Sequence, residues 1–357
     1  MHVKSTLAPL LTAALAACTV ADRGEVAGAD VAAARGGHPL SCASATTLHA
    51  LATCIGAQMP QAGSNGFVVP TSAQQADFAG VVARMLQGSC SFTLPASLAG
   101  TMQLRPFTDH GNGTTYCLFM EVADADDDGY VDRGWGTFIV DPGASRELSH
   151  QAAHPLSDIG TELQAIDIFQ ETASRSYLMC GADRFANAAA SPCEPEAATG
   201  NADCAHNTAN MFYPATRAIA AHYGSQANVQ IQWHGIADST CPTDSAYLSP
   251  GLRTAPATSS NVRTLRASAL SFNPSWVLGL SGDGTCDMDG SDNTEGRPLN
   301  GVPSGSACTT FASSASDAFI HIEQHPALRV AASWVPAILE AFPAAPLARP
   351  GLTGAAW

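Results

Sequence analysis

Eleven cysteines stand in a 357-residue chain whose first residues read as an export signal. That combination constrains the fold more than any other feature. The opening MHVKSTLAPLLTAALAAC carries Lys4, an apolar stretch, and small residues ahead of Cys18, the layout of a secretory leader rather than of a structural helix. An oxidising compartment lets thiols pair. Setting Cys18 aside as part of the leader leaves ten of the eleven cysteines, enough for five disulfides and a stapled, loop-rich body. Spacing suggests Cys42–Cys54, Cys90–Cys117, Cys193–Cys204 and Cys286–Cys308, with Cys180 and Cys241 left for each other. No C-x-x-C occurs, so a thiolate zinc site or a thioredoxin-like motif is not expected.

The tetrapeptide Leu15-Ala16-Ala17-Cys18 resembles the lipobox of bacterial lipoproteins, which implies a lipidated Cys18 as the first mature residue; ordinary cleavage near Ala17 is the alternative. Residues 1–18 are thus read as a lipoprotein signal peptide and residues 19–40, rich in Ala, Gly and charge, as a flexible tether. The formal net charge of −15 repels phosphate backbones and argues against nucleic acid as a partner. At 46% hydrophobic and 13% charged the chain is globular rather than disordered. After the leader, no apolar run approaches the ~20 residues of a membrane span. Contact with a membrane is expected only through the lipid, and the protein is expected to be a monomer.

Residues 41–114 show two helical patterns, one within residues 41–55 and one starting at Thr71-Ser72 and ending at Gly88, read together as an N-terminal helical cap or extension, with membership of the core the favoured alternative to a cap that restricts access. Residues 115–345 alternate strand and helix. Strands are expected over residues 115–122, 135–140, 147–153, 176–180, 229–233 and 319–323. Helices are expected over residues 162–172, 209–223, 261–269 and 329–341, with residues 236–315 mostly loop. This order predicts an α/β domain with a mixed, largely parallel sheet and helices on both faces. Between the first two strands, Asp124, Asp126, Asp128 and Asp132 follow the D-x-D-x-D-G opening of a calcium loop, although Trp135 occupies the position of its bidentate Glu. A solvated acidic hairpin turn is the alternative reading.

The stretch SHQAAHPLSDIGTE ends a strand and opens a helix with His154 and Asp158 in the turn. VQIQWHG closes a later strand with His234, and FIHIE closes a late one with Glu323. In open α/β sheets ligands sit at the carboxyl ends of the strands. Two His and one carboxylate with a fourth position open is the ligand set of a catalytic zinc. Glu323 would be the base. Glu162 and His150 are spare ligands. His206 is read as lining the pocket, and Arg184 with Asn187 as gripping a substrate carboxylate. A surface ion pair is the other reading of Arg184. No G-x-S-x-G, P-loop or G-x-G-x-x-G pattern is present.

The order of these pieces, AHPLSD then QWHG then FIHIEQ, resembles the zinc carboxypeptidase superfamily. HPLSDIGTE, GADRFAN, CAHNT and QWHG look most like its poly-γ-glutamate hydrolase and N-acyl-amino-acid amidohydrolase branch. The resemblance is one of motif order over residues 115–340. It implies an exported hydrolase that cleaves an amide or peptide bond of a carboxylate-bearing small-molecule or peptide substrate with zinc-activated water. One departure stands out: Asp158 lies four residues after His154, where the usual motif is His-x-x-Glu. That departure supports the alternative of a non-catalytic surface lipoprotein that binds a ligand or calcium.

Overall fold

Nine strands form one mixed sheet: β1 Met102–Thr108, β2 Thr115–Glu121, β3 Thr137–Val140, β4 Arg146–Ala152, β5 Ser174–Met179, β6 Val229–Gly235, β7 Ala246–Ser249, β8 Leu278–Leu280 and β9 Phe319–Gln324. The computed structural model describes residues 39–194, 200–224 and 226–344. The strand order is β1-β2-β3-β5-β4-β6-β9-β7-β8. The sheet is mixed as expected, but half of its strand pairs, not most, are parallel. The pairs β1/β2, β2/β3, β3/β5 and β7/β9 are antiparallel, and the parallel ladder β5-β4-β6-β9 is its centre.

Helices cover both faces. On one face lie α1 (Leu48–Ala57), α3 (Thr161–Glu171), α5 (Asn261–Phe272) and α7 (Ala331–Ala341); on the other lie α2 (Ser72–Leu86) and α4 (Phe212–Tyr223). The short α6 is Gly296–Leu299. Local chemistry fixes the helix starts. The Thr47 and Ser260 hydroxyls accept from Ala50 and Arg263 N–H groups, and Thr71 forms a capping box with Gln74. Strand alternation then feeds two cores. Tyr116, Leu118 and Met120 of β2 pack with α1 and α3 residues, while Cys117 and Phe119 of the same strand join Phe78, Val82 and Ile219.

Residues 41–114 join the main sheet and its helical layers. They supply β1, which pairs with β2, and two helices packed on α3 and α4. Pro106 and the mixed polarity of MQLRPFT suit an edge strand, where a missing N–H does no harm. Residues 236–315 also contain β7 and β8, too short for their period to be read. The expected leader, Cys18 and most of the tether lie outside the described residues. Among the described residues no helix is long and apolar enough to cross a membrane.

Five disulfides are present. Cys42–Cys54 and Cys90–Cys117 match expectation. The other expected pairs are corrected to Cys180–Cys204, Cys193–Cys308 and Cys241–Cys286. Pairing by nearness in sequence fails because loops 115 and 45 residues apart meet above the sheet.

Candidate metal centre

The three central strands β4, β6 and β9 each have one apolar and one polar face, and both faces are buried. Val229, Ile231 and Trp233 of β6 join the core under α3 and α7, so Gln230, Gln232 and His234 point the other way. On β9, Ile320 and Ile322 face that same core, and His321 and Glu323 do not. Register places His234 beside Glu323 and Gln232 beside His321. The polar side chains therefore form one stripe that ends at the strands' carboxyl edge. A cavity of about 800 Å³ opens there, lined by His154, Asp158, Arg184, His206, His234, His321 and Glu323 among others.

His154, just past β4, enters a turn closed by Asp158 N–H donating to His154 C=O at 2.8 Å. That turn brings Asp158 back onto its own imidazole. His154 Nδ1 lies 3.1 Å from Asp158 Oδ2, His234 Nδ1 lies 3.3 Å from the same oxygen, and the two Nδ1 atoms are 3.2 Å apart. A tetrahedral cation with bonds of about 2.1 Å sets its ligands about 3.4 Å apart. The far nitrogens fix the tautomers. His154 Nε2 donates to Asp203 Oδ1 at 2.9 Å and His234 Nε2 donates to Gln232 Oε1 at 3.1 Å. With Nε2 protonated on both rings, the two Nδ1 lone pairs converge with the carboxylate oxygen. The residues can hold a metal ion.

Gln232 belongs to a chain of buried amides. Its Oε1 also accepts from Asn293, its Nε2 donates to Gln151, and Gln151 donates to Gln230. Each amide fixes the orientation of the next, so His234 is held from beneath.

Asp203 was not singled out from sequence. It is fully buried and gathers three partners: His154, His206 Nδ1 at 3.0 Å, and Arg184 Nη2 at 2.5 Å. Burial alone would raise its carboxyl, but the two imidazoles overrule it and hold it well below the usual carboxylate range. The same contact raises His206 well above an ordinary imidazole against the opposing effect of burial. His234, by contrast, is pushed down to about 4, first by burial.

His321 was also missed. It follows the i, i+2 signal in FIHIE, which places it on the face of Glu323. Its Nε2 lies 3.6 Å from Glu323 Oε1, its ring centroid is 4.5 Å from that of His234, and its buried Nδ1 has no partner among the described residues. Glu323 Oε2 is likewise buried and unpartnered. Burial, then the Asp158 charge, raises the Glu323 carboxyl well above its ordinary value.

The remaining expected residues divide. Arg184 and His206 line the cavity. Asn187 is corrected: its side chain clasps the backbone of Phe67, donating to the carbonyl at 2.8 Å and accepting from N–H at 3.2 Å, and it does not line the cavity. Glu162 turns to accept from Gly160 N–H. His150 faces the opposite core, accepts from Trp233 Nε1, and is pushed down to about 3 by burial. Neither spare serves the triad.

Arg329 acts as a clamp between loops. It donates to the carbonyls of Ile159 at 3.0 Å and Ile236 at 2.9 Å, joining the exits of β4 and β6.

In the acidic turn, Asp124, Asp126 and Asp132 lie within mutual ligand reach. Asp128 is corrected: it accepts from Tyr130 N–H at 2.8 Å and is not in the group. Asp124 accepts from Asp128 and Gly129 N–H groups, which is also what a plain turn would do.

No family model matches this chain, and no curated protein matches it. Among solved structures, a gene product of Agrobacterium tumefaciens is similar at 12% identity with a TM-score of 0.32, over 54% of this chain and 84% of that one. At that score the likeness assigns neither fold nor function.

Proposed function

We propose that this chain is an exported zinc-dependent hydrolase of the zinc carboxypeptidase type, cleaving an amide or peptide bond. One observation carries the reading: His154 Nδ1, Asp158 Oδ2 and His234 Nδ1 converge within 3.3 Å, with the Glu323 carboxyl, whose Oε2 has no partner among the described residues, in the same cavity. Export is compatible with the five disulfides.

A bound zinc would polarise the scissile carbonyl and lower the pKa of a water to about 7. Glu323 takes the proton of the attacking water and hands it to the leaving amine. Its place beside the triad, at the register position next to His234, suits that transfer. Asp203 and Gln232 hold the two imidazoles in the tautomer that points Nδ1 inward. Arg184, tied to Asp203, presents the rest of its guanidinium to a substrate carboxylate or carbonyl. The shorter Asp158 reaches the triad because the turn folds it back one helical step from His154.

The test is elemental mass spectrometry on protein purified without chelator or added zinc, beside a His234→Ala variant. About one zinc per wild-type chain, absent from the variant, is expected. Zinc-free wild type, or zinc indifferent to the change, overturns the reading.

A further inference from the structure

A second histidine of the cavity is oriented in the same way as His154. His206 Nδ1 lies 3.0 Å from Asp203 Oδ1, the oxygen that also accepts from His154 Nε2. The two rings stack with centroids 6.0 Å apart. An ionised carboxylate only accepts, so His206 carries a proton on Nδ1 and presents Nε2 on its far side. There Nε2 faces Asp292 Oδ1 at 3.8 Å, too far for a hydrogen bond. An imidazole that gives one N–H to a buried carboxylate and turns its other nitrogen toward oxygen donors is arranged as a metal ligand. Asp203 thus stands behind two such rings, not one.

The oxygen donors are in place. Ligand atoms of Glu194, His206 and Asp292 lie within 4.8 Å of one another, and all three residues line the cavity. Among the described residues neither carboxylate forms an ion pair with a lysine or arginine. The three segments are also tied together away from the ligand atoms. Ser191 Oγ donates to the His206 carbonyl, Thr294 N–H donates to the Ala205 carbonyl at 2.8 Å, and Cys193, next to Glu194, is bonded to Cys308. Contacts that an ion does not have to supply therefore hold the donors near one another.

We infer that Glu194, His206 and Asp292 bind a second divalent cation in this cavity, separate from the one that His154, Asp158 and His234 would hold. One imidazole nitrogen with two carboxylate oxygens suits a borderline ion such as zinc, whereas calcium takes oxygen ligands. Three protein donors leave a position open toward the cavity, for water or an oxygen of a bound molecule. The inference stands apart from the hydrolase reading, because none of its three ligands belongs to the triad and Glu323 does not enter it.

The experiment titrates the full chain, stripped with chelator, with zinc alone in a calorimeter. Two ions per wild-type chain are expected. Asp292 is half-exposed, so the second ion should be the weaker, with a dissociation constant on the order of 10 μM, and should leave during purification without added zinc. Glu194→Gln combined with Asp292→Asn keeps both side-chain volumes and should leave one ion. His206→Gln should do the same, and His234→Ala should leave only the weaker ion. Asp203→Asn should weaken both by about 10 to 100-fold. A single ion that His234→Ala abolishes overturns the inference and keeps the hydrolase reading. A single ion that survives His234→Ala and is lost in the Glu194 and Asp292 double variant does the reverse. A second ion weaker than about 1 mM, or one indifferent to changes at Glu194, His206 and Asp292, is adventitious and overturns the inference. No ion at all overturns both.

Discussion

The Nδ1 atoms of His154 and His234 face one another at 3.2 Å. Two imidazoles that share the Nε2–H tautomer cannot hydrogen-bond through a pair of lone pairs, so the gap between them is suited to a cation or a proton. Asp203 and Gln232, one behind each ring, make that opposition a fixed property of the site.

Glu323→Gln keeps the volume and removes the proton acceptor. Turnover of an amide substrate should fall by about 10² to 10⁴-fold, with zinc content unchanged by elemental analysis. Activity retained at the wild-type level would remove Glu323 from the chemistry.

Asp203→Asn should weaken zinc by about 10 to 100-fold in a chelator competition. The Asp203 carboxyl is held well below its ordinary value in the folded chain. Its contribution to stability is therefore present above the unfolded pKa near ~4 and lost as pH falls through the depressed folded value. Acid unfolding should start at higher pH in the variant. A variant whose zinc affinity and acid limb both match wild type would leave Asp203 as ordinary packing.

Glu295 is buried, its Oε2 has no partner among the described residues, and burial pushes its carboxyl up to about 8. The folded chain holds a proton there that the unfolded chain releases above its own lower pKa. The associated stability is full below that lower value and declines as pH rises to about 8, at up to about 1.4 kcal/mol per pH unit. Glu295→Gln should flatten this part of a denaturation-against-pH profile and gain on wild type at alkaline pH. Parallel profiles would refute it.

Gly235 ends β6 directly beneath the Arg329 guanidinium, and a Cβ there would overlap it. Gly235→Ala should cost about 1 to 3 kcal/mol in urea unfolding, because it displaces the bonds to the Ile159 and Ile236 carbonyls. Adding Arg329→Ala should relieve the clash, so the double variant loses less than the sum. Strict additivity would show that the two residues do not meet.

Three of the four primary site residues were legible because each sits where a strand pattern runs out: His154 after β4, His234 in β6 and Glu323 in β9. Asp158 followed from its place in the His154 turn. His321 was within reach of the same period, since alternate residues of a strand share a face, but the apolar look of FIHIE drew attention to its last residue alone. Asp203 gave no such signal: it lies in a loop and acquires its role by meeting His154, 49 residues away. Asn187 erred for the same reason in reverse, since its partner Phe67 is 120 residues distant.

What the chain determined by itself was local: strand and helix periods, the caps at Thr47, Thr71 and Ser260, the presence of paired thiols, and ligands at strand ends. Tertiary structure decided which strands are neighbours, which loops the Cys193–Cys308 and Cys241–Cys286 bonds join, and which carboxylate stands behind which imidazole. Local signals arise from interactions within a few residues, which any short window of sequence contains. Pairings across 49, 115 or 120 residues depend on the order in which the sheet assembles, and no short window carries that order.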